Sequence, residues 1–191
     1  MIGIVDGCKS RQSYENWLDE YLLPYKIVSA PAEASDCDLV IFCGGPDIGV
    51  NVERDQLDAA VFEKCKGKGI PILGICRGMQ EVCHFMGAEL IEDLGELNAM
   101  HKRTEEGTSN FHSLILSDGR QWRVNSRHHQ AVKAVPFECS LTGKSPEGVW
   151  ELLLAADGSK LLVQSHPEMK EMRSTEIEKA CICFMKSKLK I

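Results

Sequence analysis

Cys76 is the residue whose type and setting point most directly to chemistry. It lies in Gly74-Ile75-Cys76-Arg77-Gly78, between an apolar run that predicts a buried strand and residues with helical spacing. A cysteine with glycines two residues to each side, at a strand-to-helix turn, is typical of a nucleophile elbow, which needs small neighbours. The N–H groups and the dipole at a helix start favour the thiolate. The pattern therefore predicts a cysteine nucleophile.

The segment His166-Pro167-Glu168 supplies the groups that such a nucleophile needs. The apolar run 161–164 predicts a strand that ends just before it. Pro167 favours an extended backbone at His166, and residues two apart in an extended chain face the same side. Glu168 can then orient the imidazole, which would act as the base. We predict Cys76, His166 and Glu168 as the catalytic residues.

Each of these motifs has a simpler interpretation when it is taken alone. A free cysteine packs well at an ordinary turn inside a core, and His-Pro-Glu occurs in surface turns. The two motifs gain weight together because each follows a predicted strand. For His128 and His129, which are further candidate site residues, loop capping or a hydrogen bond in the core is the simpler alternative.

The elements that would position these residues alternate between strand and helix in the first half of the chain. The predicted strands there lie at 2–5, 25–28, 39–43 and 70–75. From residue 112 short β-like runs recur, and a final helix follows residue 175. We predict one domain over 1–191 with an α/β fold. Its flavodoxin-like, doubly wound, mostly parallel sheet has helices on both faces and an added β-rich C-terminal half.

The loop Gly44-Gly45 is predicted to lie beside the Cys76 turn. Both follow predicted strands, and sites in parallel sheets form at the carboxyl ends of the strands. The loop lacks the lysine and the hydroxyl of a phosphate-binding loop, which excludes a nucleoside triphosphatase. The polar segment 92–110 shows no periodicity, so we predict a surface loop near the site.

The composition restricts the classes of partner. A net charge of −6 without a basic stripe argues against nucleic acid as the main partner. No apolar run approaches the ~20 residues that cross a bilayer, and the N-terminus shows no signal segment. The nine cysteines are scattered and odd in number, which does not indicate a disulfide framework. We therefore expect no membrane association and a cytoplasmic location. No His, Cys and carboxylate set has zinc spacing, so we expect no metal and no cofactor.

The order of these motifs resembles the class I, triad-type glutamine amidotransferase superfamily. That superfamily has a Gly-Gly loop, a Gly-x-Cys-x-Gly elbow and a C-terminal His-Pro-Glu, as this chain does. Finer features resemble its γ-glutamyl hydrolase branch, peptidase family C26. They are Gly44-Gly45-Pro46-Asp47-Ile48 followed by Arg54-Asp55, Gly74 to Gln80, and Val124 to Val132 with its His128-His129-Gln130 run.

The resemblance implies hydrolysis of a small γ-glutamyl conjugate through a thioester, with release of glutamate and an amine. Cys76 would attack the γ-carbonyl, and the backbone N–H groups of Gly45 and Arg77 would stabilise the oxyanion. His166 would protonate the amine and then activate water, and Glu168 would orient His166. The resemblance further assigns the grip on the glutamyl α-amino and α-carboxylate groups to Gln80, Asn125, Ser126, Arg127 and His128.

Two other functions stay open on the sequence alone. The chain can be a glutaminase subunit that delivers ammonia to a separate synthetase partner, since the motifs are shared across the superfamily. It can also be a non-catalytic sensor that uses a reactive Cys76, although the intact His166 and Glu168 argue against that. The identity of the amine and the formation of a homodimer are likewise left open.

Overall fold

The computed structural model describes residues 1–189, which form eleven strands and five α-helices. The strands are β1 (Ile2–Val5), β2 (Tyr25–Val28), β3 (Leu39–Phe42), β4 (Ile72–Ile75), β5 (Leu90–Ile91), β6 (Asn110–Leu116), β7 (Gln121–Ser126), β8 (Ala131–Val132), β9 (Cys139–Lys144), β10 (Trp150–Ala155) and β11 (Lys160–Val163). The α-helices are α1 (Arg11–Glu20), α2 (Val52–Lys68), α3 (Arg77–Phe85), α4 (Asn98–His101) and α5 (Glu176–Leu189). Among these residues, no helix combines the length and the apolar character needed to cross a membrane.

Nine strands form one sheet in the order β2-β1-β3-β4-β11-β10-β9-β6-β7. Neighbouring strands are parallel from β2 to β11 and antiparallel from β11 to β7. The predicted α/β fold with a mostly parallel central sheet and a β-rich C-terminal half is therefore confirmed. Strands β4 and β11 pair directly, with Ile75 opposite Val163. This pairing brings the chain segments that follow these two strands to the same edge of the sheet.

The central strands are buried on both faces. In β3, Leu39 and Ile41 pack into one apolar layer, whereas Val40 and Phe42 pack into the other. Helices α1 and α5 cover the first layer, and α2 and α3 cover the second. Burial on both faces explains why these strands read as continuous apolar runs rather than as alternating ones.

A glycine contact fixes the position of α3 against the sheet. A Cβ placed on Gly78, in the first turn of α3, would lie 2.0 Å from the carbonyl oxygen of Phe42 in β3. Two non-bonded heavy atoms cannot lie this close together, so only glycine lets the helix backbone approach the strand to this distance. The start of α3, and with it the Cys76 turn, is thereby held at the end of β3.

The segment 92–110 differs from its prediction as a surface loop. It contains the 3₁₀ turn Gly95–Leu97 and the helix α4, and His101 at the end of α4 is fully buried. The strands β5 and β8, which form a small separate antiparallel sheet, flank this region. The polar composition misled the prediction because a few residues of this segment are buried: Leu94 packs in a small apolar cluster with Ala131 and Val149, and His101 contacts other buried polar groups.

Candidate active site

Cys76 occupies the turn between β4 and α3 in a strained backbone conformation. Its φ of 53° and ψ of −110° lie in a region that residues other than glycine rarely adopt. The Cys76 N–H donates to Val163 O at 2.8 Å, and its carbonyl accepts from the N–H groups of Met79 and Gln80 at 3.0 and 3.2 Å. Such a conformation costs ~1–3 kcal/mol and persists only where its surroundings hold it. The turn therefore presents the sulfur in a fixed direction.

His166 and Glu168 follow β11, at the neighbouring strand end. The Nδ1 atom of His166 donates to Glu168 Oε1 at 2.7 Å, and Glu168 is buried. The backbone of His166 is clamped by Asn125, whose Oδ1 accepts from the His166 N–H at 2.8 Å and whose Nδ2 donates to the His166 carbonyl at 3.3 Å. The imidazole is therefore held with Nδ1 towards Glu168, which leaves Nε2 as the nitrogen that can exchange a proton.

Cys76, His166 and Gly44 meet at one point. A Cβ on Gly44 would lie 2.8 Å from His166 Cε1 and 3.6 Å from Cys76 Cβ. Cys76 and His166 shift each other's pKa: His166 lowers the pKa of Cys76, and Cys76 raises the pKa of His166. Glycine is needed at residue 44 because any side chain would push the imidazole away from the sulfur.

The electrostatics favour a thiolate–imidazolium pair. Burial raises the pKa of Cys76, but the charge of His166 and the hydrogen bond to it outweigh burial, so the pKa lies below its ordinary value. Burial lowers the pKa of His166, but the charges of Glu168 and Cys76 outweigh it and hold the pKa well above its usual range. An ionised sulfur beside a protonated imidazole is the reactive form of a cysteine nucleophile.

The Gly44-Gly45 loop lies against Cys76, and hydrogen bonds from Arg54 hold its backbone in place. Arg54 donates to the carbonyls of Gly44 and Cys43 at 3.1 and 2.8 Å, and to Asp58 at 3.2 Å. The Gly44 N–H donates to the Tyr14 hydroxyl oxygen at 2.9 Å. Within residues 1–189 the Gly45 N–H has no hydrogen-bond acceptor. The amide of Gly45 is thus available to a ligand.

Arg77 offers its backbone rather than its side chain. The guanidinium is 2% exposed and donates to Asp58 at 2.7 Å, to both carboxylate oxygens of Glu81 at 2.6 and 2.8 Å, and to Asp55. As the first residue of α3, Arg77 has an N–H without an intrahelical partner. The backbone N–H groups of Gly45 and Arg77 are therefore both available to a ligand beside Cys76.

Two cavities open on Cys76. The smaller holds about 150 Å³ and is lined by Gly45, Asp47, Cys76, Arg77, Gln80, Arg127, His128, His129 and Gln130. The larger holds about 410 Å³ and is lined by Lys9, Ser10, Gly45, Pro46, Cys76, Arg103, Arg127 and His166. The sulfur is thus reached from two sides, one narrow and one wide.

The wide cavity carries three cationic side chains, Lys9, Arg103 and Arg127. Within residues 1–189 none of them forms a salt bridge, whereas the chain as a whole has a net charge of −6. Arg127 donates to Gly107 O at 2.9 Å and to Met169 Sδ at 3.0 Å. Burial and the nearby charge of Arg103 lower the pKa of Arg127. Unbalanced positive charge beside a reactive sulfur attracts an anionic ligand.

The residues predicted to bind a glutamyl group separate into two sets. Gln80, Arg127 and His128 line the narrow cavity. Asn125 and Ser126 do not: Asn125 holds the His166 backbone, and the Ser126 hydroxyl donates to His101 O at 2.9 Å. Asn125 and Ser126 are the last two residues of β7, whereas Arg127 and His128 lie in the segment that follows the strand.

Two supporting residues were missed on the sequence. Tyr14 lies in α1 and Arg54 in α2, and neither is among the predicted catalytic or binding residues. The structure shows that both hold the Gly44-Gly45 loop in place. The Arg54-Asp55 pair shortly after the glycine loop was the available signal, although its spacing alone could not indicate a contact with the loop backbone.

Comparison with known proteins agrees with this geometry. The profile of the peptidase C26 family matches residues 45–168, more than half of the chain. Protein NtpR of Enterococcus hirae is 29% identical over 174 residues, which cover 74% of this chain and 73% of that protein. The glutamine-hydrolysing GMP synthase of Symbiobacterium thermophilum is 31% identical over 131 residues, covering 68% of this chain and 24% of the synthase. The chain thus spans about a quarter of the length of that relative.

Solved structures share the fold over almost the whole chain. A GMP synthase subunit from Thermoplasma acidophilum superposes with a TM-score of 0.77 at 18% identity, covering 98% of this chain and 92% of that one. A glutamine amidotransferase from Thermotoga maritima gives a TM-score of 0.70 at 16% identity, with 98% and 84% covered. The profile match, set beside the cysteine elbow and its histidine, shows that the chain belongs to peptidase family C26, a family of glutamine amidotransferase-like C–N hydrolases in the class I glutamine amidotransferase superfamily.

Proposed function

We propose that this protein is a standalone amidohydrolase that cleaves a γ-glutamyl amide through a thioester on Cys76. The observation that supports the proposal is the hydrogen-bonded pair of His166 and Glu168 placed beside Cys76, on which two cavities open. The wide cavity beside Cys76 has room for a leaving amine larger than ammonia.

In the first half of the reaction, the Cys76 sulfur attacks the γ-carbonyl carbon of the substrate. The N–H groups of Gly45 and Arg77 stabilise the oxyanion, and loss of one such donor typically costs about 3 kcal/mol of transition-state stabilisation. His166 gives its Nε2 proton to the amine nitrogen as the C–N bond breaks. The amine leaves and the γ-glutamyl group remains as a thioester on Cys76.

In the second half, neutral His166 removes a proton from a water molecule that attacks the thioester carbonyl. The C–S bond breaks, the Cys76 thiolate is regenerated, and glutamate is released. Glu168 keeps its charge throughout and stabilises the imidazolium in each half. No step needs a redox change or an added co-reactant.

We assign the glutamyl group to the narrow cavity, where Gln80 and Arg127 offer hydrogen bonds and His128 forms part of the wall. Asn125 is better explained as a positioning residue for His166, because both of its polar atoms contact the His166 backbone. Ser126 faces the segment of His101 and not the cavity. We therefore expect fewer residues to bind the glutamyl group than the resemblance implies.

We assign the leaving amine to the wide cavity, whose Lys9, Arg103 and Arg127 favour an amine that carries a carboxylate or a phosphate. A neutral amine would gain nothing from Lys9 and Arg103, the two cations that remain when Arg127 contacts the glutamyl group. The preferred substrate class is accordingly a γ-glutamyl amide of an anionic amine.

The direct test measures glutamate release by the purified chain from γ-glutamyl amides with neutral, carboxylated and phosphorylated amines. We expect the anionic members to give the highest kcat/KM, and Cys76→Ala to lower turnover at least ~1000-fold with the fold retained. Cys183→Ala, at an exposed cysteine of α5, is the matched control and should behave as the parent. Normal turnover by Cys76→Ala would end the proposal.

A second function, a glutaminase subunit for a separate synthetase, is favoured by the GMP synthases among the relatives. A glutaminase subunit and a standalone amidohydrolase differ in their substrate preference and in their response to a partner. Such a subunit should prefer glutamine over larger γ-glutamyl amides and should gain activity when its synthetase is added. Efficient hydrolysis of a larger amide by the isolated chain would favour the standalone enzyme instead.

A further inference from the structure

Four buried side chains converge just behind the wall of the narrow cavity. They are His101 of α4, His112 of β6, His128 after β7 and Glu151 of β10, with exposures of 0, 6, 4 and 1%. Three imidazoles and a carboxylate are an unusual content for a protein interior, where such groups need partners. The proposed hydrolysis uses none of their ring nitrogens or carboxylate oxygens.

Four of the six distances between the ligand atoms of this cluster match the edges of a metal tetrahedron. Glu151 Oε1 lies 3.5 Å from His101 Nδ1, 3.5 Å from His112 Nε2 and 3.4 Å from His128 Nε2. His101 Nδ1 and His128 Nε2 are 3.3 Å apart, and all four atoms lie within 4.8 Å of one another. Ligands at the zinc bond length of ~2.05 Å in a tetrahedron are about 3.3–3.4 Å apart.

In His112 and His128 the ring nitrogen that faces away from Glu151 lies near a backbone carbonyl, as is usual for histidines that bind a metal. His112 Nδ1 lies 3.1 Å from Ser113 O, and His128 Nδ1 lies 2.9 Å from Gln130 O. When one ring nitrogen donates its proton to a carbonyl, the other nitrogen presents a lone pair. Both lone pairs then face Glu151, where a cation would sit.

A hydrogen-bonded network explains the cluster less well. In the part of the chain that the structure describes, both oxygens of Glu151 and the Nε2 of His112 are buried without a hydrogen-bond partner. An imidazolium–carboxylate bond would shorten to ~2.7–2.9 Å, whereas these contacts measure 3.4–3.5 Å. A buried carboxylate without a donor is costly, and a cation between the groups removes that cost.

We propose that His101, His112, His128 and Glu151 bind one Zn²⁺ in a closed structural site. Imidazole nitrogens with a carboxylate oxygen in tetrahedral arrangement suit zinc, and four protein ligands leave no open position for catalysis. The ion would join α4, β6, β10 and the segment after β7. Since His128 also lines the narrow cavity, the ion would fix one wall of the substrate site. The sequence predicted no metal because the ligands come from four distant segments.

The test begins with the whole chain of 191 residues. We expect about one zinc per chain by elemental analysis, a fall in Tm after extraction with a chelator, and recovery of Tm on addition of Zn²⁺. Co²⁺ in place of zinc should give the d–d absorption of a tetrahedral nitrogen and oxygen site, without thiolate-to-metal charge transfer. Failure of the extracted protein to bind Zn²⁺ or to change Tm would overturn the proposal, as would a thiolate charge-transfer band.

Variants then locate the ion. Glu151→Gln keeps the shape of the side chain but removes the anionic ligand, so zinc affinity should fall at least ~100-fold. The controls His84→Gln, at an exposed histidine, and Cys76→Ala, which removes the reactive sulfur, should retain one zinc per chain. Unchanged affinity in Glu151→Gln, or loss of zinc in Cys76→Ala, would contradict the site. These readouts do not depend on the proposed hydrolysis.

Discussion

The two halves of the sheet use polar side chains in opposite ways. In the parallel half, Cys76 and His166 lie just beyond the strand ends, where neighbouring cavities reach them. In the antiparallel half, His112 and Glu151 lie within strands β6 and β10 and point into the interior. The parallel half thus offers its reactive groups to a ligand, and the antiparallel half encloses its own. We infer that catalysis belongs to the first half and support of the cavity wall to the second.

The largest effect should come from Glu168→Gln in the parallel half. Without the carboxylate, the tautomer and the cation of His166 lose their support, so we expect kcat/KM to fall ~10³–10⁴-fold with little change in Tm. Glu168 also raises the pKa of His166. In the variant this pKa should fall, and the alkaline limb of the pH–rate profile should move to lower pH.

The control for this change is Glu176→Gln, at an exposed carboxylate that begins α5. It should leave both the rate and the pH profile unaltered. An alkaline limb that stays in place in Glu168→Gln would show that this carboxylate does not set the ionisation of His166.

A pair of glycine variants compares the packing of the two halves. In Gly78→Ala the new methyl group would lie 2.0 Å from the Phe42 carbonyl oxygen. Because the backbone of β3 can move only at a large cost in free energy, we expect the unfolding free energy to fall by about 3 kcal/mol or more. In Gly143→Ala the new methyl group would lie 2.6 and 2.9 Å from the side-chain ends of Leu114 and Leu116. Because these side chains can shift, we expect a smaller loss of about 1–2 kcal/mol in unfolding free energy. Denaturant unfolding measures both, and equal losses would refute this account of the α3 contact.

Asn125→Ala tests whether the antiparallel half influences catalysis. Asn125 is the second-last residue of β7, but it also holds the backbone of His166, so its loss should displace the imidazole and lower kcat about 10–100-fold. KM should change little if Asn125 makes no substrate contact. Asn16→Ala, at an exposed site on α1, is the control. A raised KM with unchanged kcat would return Asn125 to the substrate-binding set.

The smallest effect should come from Arg103→Ala at the rim of the wide cavity. Removing one exposed cation should raise KM for an anionic γ-glutamyl amide about 2–5-fold at low salt, with a smaller change at high salt. KM for a neutral amide should stay constant. Arg120→Ala, on the turn between β6 and β7, serves as the control. Equal effects on neutral and anionic amides would remove the basis for the assigned leaving group.

The parallel half was the more predictable from sequence because its signals are local. The Cys76 elbow and His166-Pro167-Glu168 each occupy a few consecutive residues, and the apolar runs before them mark their strands. The fold and the family followed from these motifs and are confirmed. The roles of individual site residues and the single domain over 1–191 stay predictions.

The antiparallel half could not be predicted in the same way because its contacts join distant residues. The buried partners His101 and Glu151 are fifty positions apart, and neither lies in a motif. Similarly, nothing in the spacing of Asn125 indicated that its amide would hold the backbone at residue 166. Interactions of this kind depend on the register of strands that the sequence pattern does not specify.

The two openings onto the sulfur have a consequence for the order of events in the proposed reaction. Once the amine has left the wide cavity, that space is free while the glutamyl group is still attached on the narrow side. Water must enter by the route that the first product vacated, so glutamate departs last, and the kinetics should be ping-pong. A second amine that fits the vacated space would compete with water and capture the acyl group, turning the hydrolase into a transferase.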